Sequence, residues 1–324
     1  MPSQPVTAAA AGSWTLADRT VHRMGFGSMR VTANPDRDLA ITVLRRAVEL
    51  GVDHIDTAAF YFSPGGTLRV GSGPTRYATE LIREALSPYP EELLIATKVG
   101  PGYDPETGEF VQATSPAALR AQVEENLRRL GRDHLDLVNL RILKRPGHDS
   151  VAEKFGALVE LRDAGLIRHL GLSNVRLDHV DEAAAIAPVA CVQNMYALDA
   201  NRTEDALLRT CGERGIAYVP FFAIAGARRE EGAGADHEAA VRAVARTHGV
   251  TPHQVRLAWT LHQGPHVLAI PGTGDPAHLE ENIAAGALRL SADELAALDP
   301  LVVEDAAAAA DRRQVDPAHR ARPE

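Results

Sequence analysis

Residues 93–99 read Leu93-Leu94-Ile95-Ala96-Thr97-Lys98-Val99, a mostly apolar run, and a helical pattern over residues 116–130 follows it. A short apolar run of this kind predicts a buried strand, and the pair Ser115-Pro116 is a typical helix start. Parallel strands need a long crossover between them, which is usually a helix. This unit therefore predicts one strand of a parallel sheet, followed by the helix that connects it to the next strand.

The same unit of strand and helix occurs eight times along the chain. The predicted strands cover 24–27, 53–56, 93–99, 135–141, 167–172, 189–194, 216–222 and 267–271. The predicted helices that follow them cover 37–50, 75–87, 116–130, 151–164, 176–186, 203–214, 236–263 and 276–285, with a break at Thr251-Pro252. Eight such units in 324 residues predict an α/β fold of the (β/α)8 type, a TIM barrel, rather than an open doubly wound sheet.

The remaining segments flank this barrel. Residues 14–24 predict a short N-terminal β-hairpin before the first barrel strand. No linker divides the pattern, so we expect a single barrel domain over residues 14–303, with flexible tails over 1–13 and 304–324.

Two long loops are predicted at the ends of barrel strands, over residues 100–114 and 226–236. Both follow the carboxyl ends of strands, the face on which barrel enzymes place their active sites. The second loop is rich in glycine, glutamate and arginine, and we expect it to be mobile.

Composition and charge narrow the classes of function. The formal net charge of −9 argues against nucleic-acid binding by phosphate neutralisation. The chain has no run of about 18 apolar residues, and residues 1–12 lack the pattern of a signal peptide. Cys191 and Cys211 fall in apolar and helical patterns, so both are expected to be reduced. We therefore expect a cytoplasmic protein with no membrane partner and no metal, and the oligomeric state stays open.

Lysine is rare in the chain, and one lysine lies within a predicted buried strand. Lysine occurs only at Lys98, Lys144 and Lys154. Burial of an ammonium group is costly unless the group is paired and hydrogen-bonded. Lys98 therefore requires a carboxylate, and Asp56, at the end of the preceding strand, can supply it.

Four polar side chains are predicted to meet at the mouth of the barrel. Asp56, Lys98 and Arg141 end strands two, three and four, and Tyr61 lies just after strand two. An ammonium beside a phenol stabilises the phenolate, and a carboxylate beside the ammonium keeps it charged. The set therefore predicts a tyrosine that acts as a general acid. The alternative is a structural ion pair, with Tyr61 as unrelated packing.

Six groups of short motifs run along nearly the whole chain. They are Gly25-Phe26-Gly27-Ser28-Met29, Ile55-Asp56-Thr57-Ala58 with Tyr61, Ala96-Thr97-Lys98, Gly171-Leu172-Ser173-Asn174, Val192-Gln193, and Ile270-Pro271-Gly272-Thr273 with Leu279-Glu280-Glu281-Asn282. In this order the sequence resembles an aldo-keto reductase. No single motif is decisive, but together they are highly specific.

The resemblance implies a barrel that binds NADP(H) in an extended form, without a Rossmann fingerprint. Tyr61 would donate the proton to the carbonyl oxygen, and Lys98 and Asp56 would adjust the acidity of the Tyr61 hydroxyl. The positions implied to bind the cofactor are Gly27, Ser28, Met29 and Asp56 at the nicotinamide end, Ser173, Asn174 and Gln193 at its carboxamide, Phe221, Phe222 and Ala223 from its ring to the pyrophosphate, Gly272, Thr273 and His278 at the 2'-phosphate, and Glu281 and Asn282 at the adenine. From loop position and aromatic character, we expect the substrate to lie among Phe62, Tyr103, Phe110 and Phe222.

Three positions depart from the pattern of the family. Arg141 stands where the family usually has a histidine beside the carbonyl oxygen. Arginine is a permanent hydrogen-bond donor and could bind that oxygen. The alternative is that Arg141 points to a loop carboxylate. His278 stands where an arginine or lysine often meets the 2'-phosphate, and NADPH rather than NADH is the expected cofactor. Residues 223–226 replace a common Pro-Leu-Gly segment that touches the pyrophosphate.

Some segments narrow the resemblance further. Residues 138–141, 191–194 and 215–222 are similar to the bacterial branch that contains pyridoxal reductase. The expected function is NADPH-dependent reduction of a small aldehyde or ketone to an alcohol, with pyridoxal as one candidate substrate. Two alternatives stay open: a non-catalytic NADPH-binding regulatory subunit, and a biosynthetic-cluster ketoreductase that acts on a larger substrate.

Overall fold

The computed structural model describes residues 6–68, 73–104, 107–143, 149–200, 202–224 and 239–299. These residues form thirteen β-strands. In chain order they are β1 (Ser13–Leu16), β2 (Arg19–His22), β3 (Phe26–Gly27), β4 (His54–Asp56), β5 (Phe62–Ser63), β6 (Arg76–Tyr77), β7 (Leu94–Val99), β8 (Pro101–Tyr103), β9 (Phe110–Gln112), β10 (Leu135–Arg141), β11 (Ile167–Ser173), β12 (Cys191–Gln193) and β13 (Ala217–Tyr218). β1 and β2 pair antiparallel, so the N-terminal hairpin expected over 14–24 is present.

The central sheet curls into a closed barrel. Its strand order is β13-β12-β11-β10-β7-β4-β3, and every neighbouring pair is parallel. Val267 bridges Tyr218 of β13, and Ala269 bridges Met24 just before β3, so one segment joins the two edges of the sheet. The predicted (β/α)8 barrel is therefore confirmed, with the strand predicted over 267–271 reduced to isolated bridges.

The described residues form ten α-helices: α1 (Arg37–Glu49), α2 (Ala78–Leu86), α3 (Pro116–Leu130), α4 (Ala152–Asp163), α5 (Leu177–Ile186), α6 (Asp205–Glu213), α7 (Ala239–His248), α8 (Pro252–His262), α9 (Pro276–Ala284) and α10 (Ala292–Leu298). The Ser115 hydroxyl accepts a hydrogen bond from the backbone nitrogen of Ala118 at 3.2 Å, which caps the start of α3. Thr251 and Gln254 form a capping box at the start of α8, so the segment predicted over 236–263 breaks there. None of these helices is long and apolar enough to span a membrane.

Helix α10 is absent from the sequence prediction. The Ser291 hydroxyl accepts from the backbone nitrogen of Glu294 at 3.2 Å, and the Glu294 carboxylate accepts from the Ser291 backbone at 2.8 Å. Ser-x-x-Glu is the sequence signature of such a capping box, so the signal for this helix is present in the chain.

The ends of the barrel domain differ in part from the expected tails. Within residues 1–13, a 3₁₀-helix covers Ala8–Ala11 and has two buried alanines. The Arg289 guanidinium donates to a carbonyl oxygen of this helix at 2.7 Å. This piece of the expected flexible tail is therefore packed on the barrel, because small alanine side chains allow a close approach. The expected tail 304–324 and the loop 226–236 lie outside the described residues.

Two small hairpins follow the carboxyl ends of barrel strands. β8 pairs antiparallel with β9 inside the segment predicted as a loop over 100–114, and β5 pairs antiparallel with β6 after β4. Both therefore lie at the face of the barrel where β4 and β7 end, and they form part of the rim around the site.

Candidate active site

A buried ion pair joins the carboxyl ends of β4 and β7. Lys98 Nζ donates to Asp56 Oδ1 and Oδ2 at 2.7 Å each and to the carbonyl oxygen of Thr57 at 3.0 Å. The side chains of Lys98 and Asp56 are 1% and 7% exposed. Asp56 is opposite Ala96 in the sheet register, and Lys98, two residues further along, points to the same side of the sheet. All three ammonium protons therefore have acceptors, as a buried lysine requires.

A cavity of about 210 Å³ opens beside this ion pair, and we call it the mouth cavity. It is lined by Gly27, Met29, Arg30, Asp56, Phe60, Tyr61, Thr67, Phe110, Arg141, Pro220, Phe221, Phe222, Ala223, Ile224, Ile270, Pro271 and Gly272. The lining is largely apolar and aromatic with a few polar groups, which is typical of a small-molecule site. Among the described residues, no group of three or more His, Cys, Asp or Glu side chains could hold a metal ion.

Tyr61 lies between the ion pair and the mouth cavity. Lys98 Nζ is 4.7 Å from the centroid of the Tyr61 ring, so the ammonium lies over the ring. The Tyr61 backbone is fixed by hydrogen bonds to Ala58 at 3.0 Å and from Ala78 at 2.9 Å. Its hydroxyl makes no hydrogen bond with any residue that the structure describes. The hydroxyl is therefore available to a molecule in the cavity.

Gln193 extends the polar cluster from β4 to β12. Its Nε2 donates to Asp56 Oδ1 at 2.7 Å, so this oxygen accepts from both Gln193 and Lys98. Gln193 is buried, and its Oε1 has no hydrogen-bond partner among the described residues. The amide cannot be turned over, because its oxygen would then face a carboxylate. A buried acceptor without a partner costs about 1–3 kcal/mol, so this atom marks a place where a bound donor fits.

Arg141 ends β10 and contributes to the lining of the mouth cavity. Its Nη1 donates to the Ser173 hydroxyl at 3.0 Å, and its guanidinium lies 4.9 Å from the centroid of the Phe221 ring. Arg141 and Ser173 are also partners in the register of β10 and β11. The sheet therefore brings together three of the residues expected to share one site.

The aromatic residues expected around the substrate divide into two groups. Phe110 lines the mouth cavity, whereas Phe62 and Tyr103 line a second cleft that reaches Lys98. The Tyr103 ring centroid is 4.9 Å from those of both Phe62 and Phe110. Phe110 of the β8–β9 hairpin therefore faces the mouth cavity, whereas Tyr103 of the same hairpin and Phe62 of β5 face the second cleft. Phe60, 5.4 Å from Phe110 between ring centroids, completes the cavity wall instead.

Two site residues have backbone conformations that are unusual for L-amino acids. Asn174 has a φ of 58° and Phe222 a φ of 61°; Ala17 is the other non-glycine residue in this region among those described. Asn174 Nδ2 donates to the carbonyl oxygen of Ile142 at 2.6 Å, and its backbone nitrogen donates to Gln193 at 3.0 Å. Such conformations cost about 1–3 kcal/mol each and concentrate at functional sites.

Gly27 and Gly272 allow the first and last segments of the barrel to touch. A Cβ on Gly27 would lie 2.6 Å from the carbonyl oxygen of Ile270, and a Cβ on Gly272 would collide with the carbonyl oxygen of Gly27. Ser28, expected at the cofactor, is fully buried and donates its hydroxyl to the carbonyl oxygen of Asp56 at 2.8 Å. Ser28 therefore ties β3 to β4 and is not part of the cavity lining.

The residues expected at the adenosine end lie at the start of α9. Asp275 caps this helix by accepting from the backbone nitrogens of Ala277 at 2.7 Å and His278 at 3.2 Å. The hydrogen bonds from His278 and Ala277 lower the pKa of Asp275. The Thr273 hydroxyl accepts from the backbone nitrogen of Asp275 at 3.0 Å. Of the other expected residues, the structure leaves His278 exposed, Glu281 half-buried and Asn282 buried.

Several residues of the cavity lining are absent from the sequence prediction: Arg30, Phe60, Thr67, Pro220, Ile224, Ile270 and Pro271. Most of them are chain neighbours of predicted residues, so the motifs already marked their positions. Thr67 carries no such signal, because it belongs to the irregular segment after β5. Its hydroxyl donates to the carbonyl oxygen of Phe60 at 2.6 Å and so fixes the cavity wall.

The groups around Gln193 fit the nicotinamide end of NADP(H). The partnerless Oε1 of Gln193 can accept a hydrogen bond from a carboxamide NH₂ group. Phe221 presents its ring within the cavity lining. Gly27 and Gly272 keep side chains away from the point where the two barrel segments meet.

The closed parallel barrel, with its polar cluster at the carboxyl ends of the strands, defines an enzyme of the TIM-barrel class. Comparison with protein-family models matches residues 23–302 to the aldo/keto reductase family. The chain belongs to this family and is an NADP-dependent oxidoreductase that interconverts carbonyl and alcohol groups.

Three relatives illustrate the similarity. Pyridoxine 4-dehydrogenase of Escherichia coli is 42% identical over 298 residues, which cover 89% of this chain and 97% of that protein. An uncharacterized oxidoreductase of Schizosaccharomyces pombe is 37% identical, with 92% of each chain covered. Among solved structures, an aldo-keto reductase from Klebsiella pneumoniae in complex with NADPH has a TM-score of 0.70 at 28% identity and covers 87% of this chain and 91% of its own.

Proposed function

We propose that this enzyme reduces a small aldehyde or ketone with NADPH and that Tyr61 donates the proton. The observation that carries the proposal is the position of the Tyr61 hydroxyl. It belongs to the cavity lining and lacks a hydrogen-bond partner among the described residues, while Lys98 Nζ lies 4.7 Å from the centroid of its ring. A proton donor, a fixed positive charge and a space for substrate thus coincide.

NADPH supplies the hydride when it is bound. As negative charge develops on the carbonyl oxygen, the Tyr61 hydroxyl donates its proton to that oxygen. The Lys98 ammonium stabilises the phenolate that remains, and Asp56 holds the ammonium in place at 2.7 Å. The Arg141 guanidinium, a permanent donor in the same cavity lining, stabilises the developing negative charge.

The same arrangement indicates how the cofactor would be held. Gln193 Oε1 would accept from the carboxamide, and the Ser173 hydroxyl, which accepts from Arg141 at 3.0 Å, keeps its own proton to donate. The Asn174 side-chain amide already donates to a backbone carbonyl, so Asn174 contributes mainly through its backbone position. Phe221 would stack on the nicotinamide ring.

Pyridoxal is the first substrate to test. Support comes from the similarity to pyridoxine 4-dehydrogenase and from a mouth cavity with phenylalanine walls, which suits a single aromatic ring. The test is a kinetic screen of NADPH and NADH against pyridoxal and simple aldehydes, with pyridoxine for the reverse reaction. NADPH-dependent turnover of pyridoxal supports the proposal. Tight NADPH binding with negligible turnover of every carbonyl compound would instead favour a regulatory subunit.

Replacement of the proton donor gives the sharpest test of the assignment. Tyr61→Phe should lower kcat by about 10²–10⁴-fold, because a general acid contributes this much. NADPH binding, measured by quenching of protein fluorescence, should stay unchanged. Tyr89→Phe is the matched control, because the Tyr89 hydroxyl bonds to the carbonyl oxygen of Leu130 and is not in the cavity lining. Wild-type turnover in Tyr61→Phe would remove Tyr61 from the mechanism.

We also propose a cytoplasmic location. Cys191 and Cys211 are both buried and free. Burial raises the pKa of each thiol to about 12, which keeps both protonated and unreactive. Fractionation of the native cells would check the location, and recovery with the membrane fraction would contradict it.

A further inference from the structure

The side-chain amide of Gln112 joins the β8–β9 hairpin to the end of β10. Its Nε2 donates to the carbonyl oxygen of Arg141 at 3.2 Å, and its Oε1 accepts from the backbone nitrogen of Leu143 at 2.7 Å. We call these two hydrogen bonds the Gln112 clamp. With one donor and one acceptor, the amide binds this strand end as a backbone peptide group of a neighbouring strand would.

Gln112 takes this place because β7 leaves the sheet at its carboxyl end. The last register pair of β7 and β10 is Val99 with Leu140. Beyond it the chain turns at Gly100, which has a φ of 117°, and Pro101 has no backbone N–H with which to continue the ladder. A Cβ on Gly100 would collide with the backbone at the end of β10 and lie 2.8 Å from Gln112 Nε2. The glycine therefore leaves the room that the clamp occupies.

The clamp connects two parts of the mouth cavity. Phe110 lines the cavity from β9, and Arg141 lines it from the end of β10. Phe110 and Gln112 are two residues apart on β9, so their side chains project to the same side of the hairpin. The Phe110 ring packs against Phe60, with 5.4 Å between the ring centroids. The hydrogen bonds of Gln112 to the barrel therefore fix where the Phe110 ring lies.

We propose that Gln112 is a positioning residue for substrate recognition. Through its clamp it holds Phe110 as a fixed aromatic wall of the mouth cavity, and so it favours carbonyl compounds that carry an aromatic ring. The proposal rests on the reductase function proposed above and adds a determinant of specificity. A fixed ring binds an aromatic substrate by edge or offset contacts, whereas a ring on a loose hairpin must first be ordered, which weakens binding. A small aliphatic aldehyde gains little from the wall in either case.

The experiment compares benzaldehyde with propanal, which share the aldehyde group and differ in the ring. The variants are Gln112→Met, which keeps the length of the side chain without its hydrogen bonds, Phe110→Leu, which removes the ring, and the double variant. Gln263→Met is the matched control, because Gln263 Nε2 also donates to a backbone carbonyl oxygen, at 3.0 Å, but lies outside the cavity lining. Circular dichroism and the NADPH dissociation constant show whether each variant folds and binds the cofactor.

The expected result is selective for the aromatic substrate. Gln112→Met should raise KM for benzaldehyde by about fivefold or more, because two hydrogen bonds are lost. The kcat values, the KM for propanal and the NADPH dissociation constant should stay within about twofold of the wild type, as should every constant of Gln263→Met. Phe110→Leu should show the same pattern, and the double variant should be little worse than Phe110→Leu, because both changes act on one wall.

Two outcomes separate this role from a merely structural one. Additive losses in the double variant, or a fall in kcat for both aldehydes, would show that Gln112 acts by another route and would overturn the proposal. An unchanged KM for benzaldehyde in Gln112→Met would also overturn it. Turnover of propanal by the wild-type enzyme shows in each case that the reductase function stands.

Discussion

Two ends of the proposed cofactor site are built by different means. The reaction end, defined here as Asp56, Lys98, Tyr61 and Gln193, has a buried ion pair with distances of 2.7 Å at the ends of neighbouring strands. The helix end, defined as the residues from Gly272 to Asn282, lies in a loop and on the partly exposed helix α9. From residue 264 to residue 288 the chain has no lysine or arginine, and Asp275 occupies the first backbone donors of the helix.

Because of this difference, we expect the reaction end to control the chemical step and the helix end to control the recognition of the cofactor. At the reaction end, removal of one charge leaves another buried without a partner, so the geometry tolerates little change. At the helix end, water screens each charge, and single substitutions change energies by small amounts. We therefore expect variants at the reaction end to affect stability and turnover, and variants at the helix end to affect the choice of cofactor.

The largest effect is expected from Lys98→Met. Asp56 would then be buried without its partner, which costs about 3–5 kcal/mol of the free energy of unfolding. Turnover should be lost together with the fixed positive charge beside Tyr61. Denaturant unfolding and a carbonyl-reduction assay measure the two effects.

Lys154→Met is the matched control for this prediction, because Lys154 lies on α4 and bonds to a backbone carbonyl at 3.4 Å in an exposed position. The double variant Lys98→Met with Asp56→Asn should recover stability but not turnover. If Lys98→Met unfolds at the same denaturant concentration as Lys154→Met, the ion pair does not contribute as the geometry indicates.

The same contrast explains which parts of the site could be predicted from the sequence. The pairing of Lys98 with Asp56 could be predicted, because a buried charge requires a partner and the barrel places the ends of neighbouring strands together. The positions of Phe62 and Tyr103 behind the cavity wall could not, because the path of a loop depends on tertiary packing that no periodic pattern encodes. Asp275 precedes Pro276 at a helix start and carries a capping signal, yet its hydrogen bonds to the first backbone donors of α9 become visible only in the folded chain.

A smaller effect, on the pH profile, is expected from Arg141→His. The wild-type donor stays charged at every ordinary pH, whereas a histidine loses its proton near pH 6.5. Activity of the variant should therefore approach that of the wild type below about pH 6 and fall by about tenfold or more as the pH rises toward 8. The ratio of kcat between variant and wild type, measured from pH 5.5 to 8.5, checks this expectation. A ratio that does not change with pH would show that Arg141 contributes no charge to the step, and Arg141→Gln should lower activity equally at every pH.

The smallest effect is expected at the helix end, from Asp275→Asn. Asparagine caps a helix about as well as aspartate, so the fold of α9 should be retained while one negative charge is removed. Because its hydrogen bonds lower the pKa of Asp275, the carboxylate is ionised throughout the neutral range and would repel a 2'-phosphate at this helix start at every pH from about 5 to 9. The variant should therefore bind NADPH about fivefold more tightly, which corresponds to about 1 kcal/mol, while its affinity for NADH stays the same.

Asp293→Asn at the start of α10 is the control and should change neither dissociation constant. An Asp275→Asn variant that binds both cofactors with unchanged affinity would show that the adenosine phosphate lies elsewhere, and the contrast between the two ends would then rest on the reaction end alone.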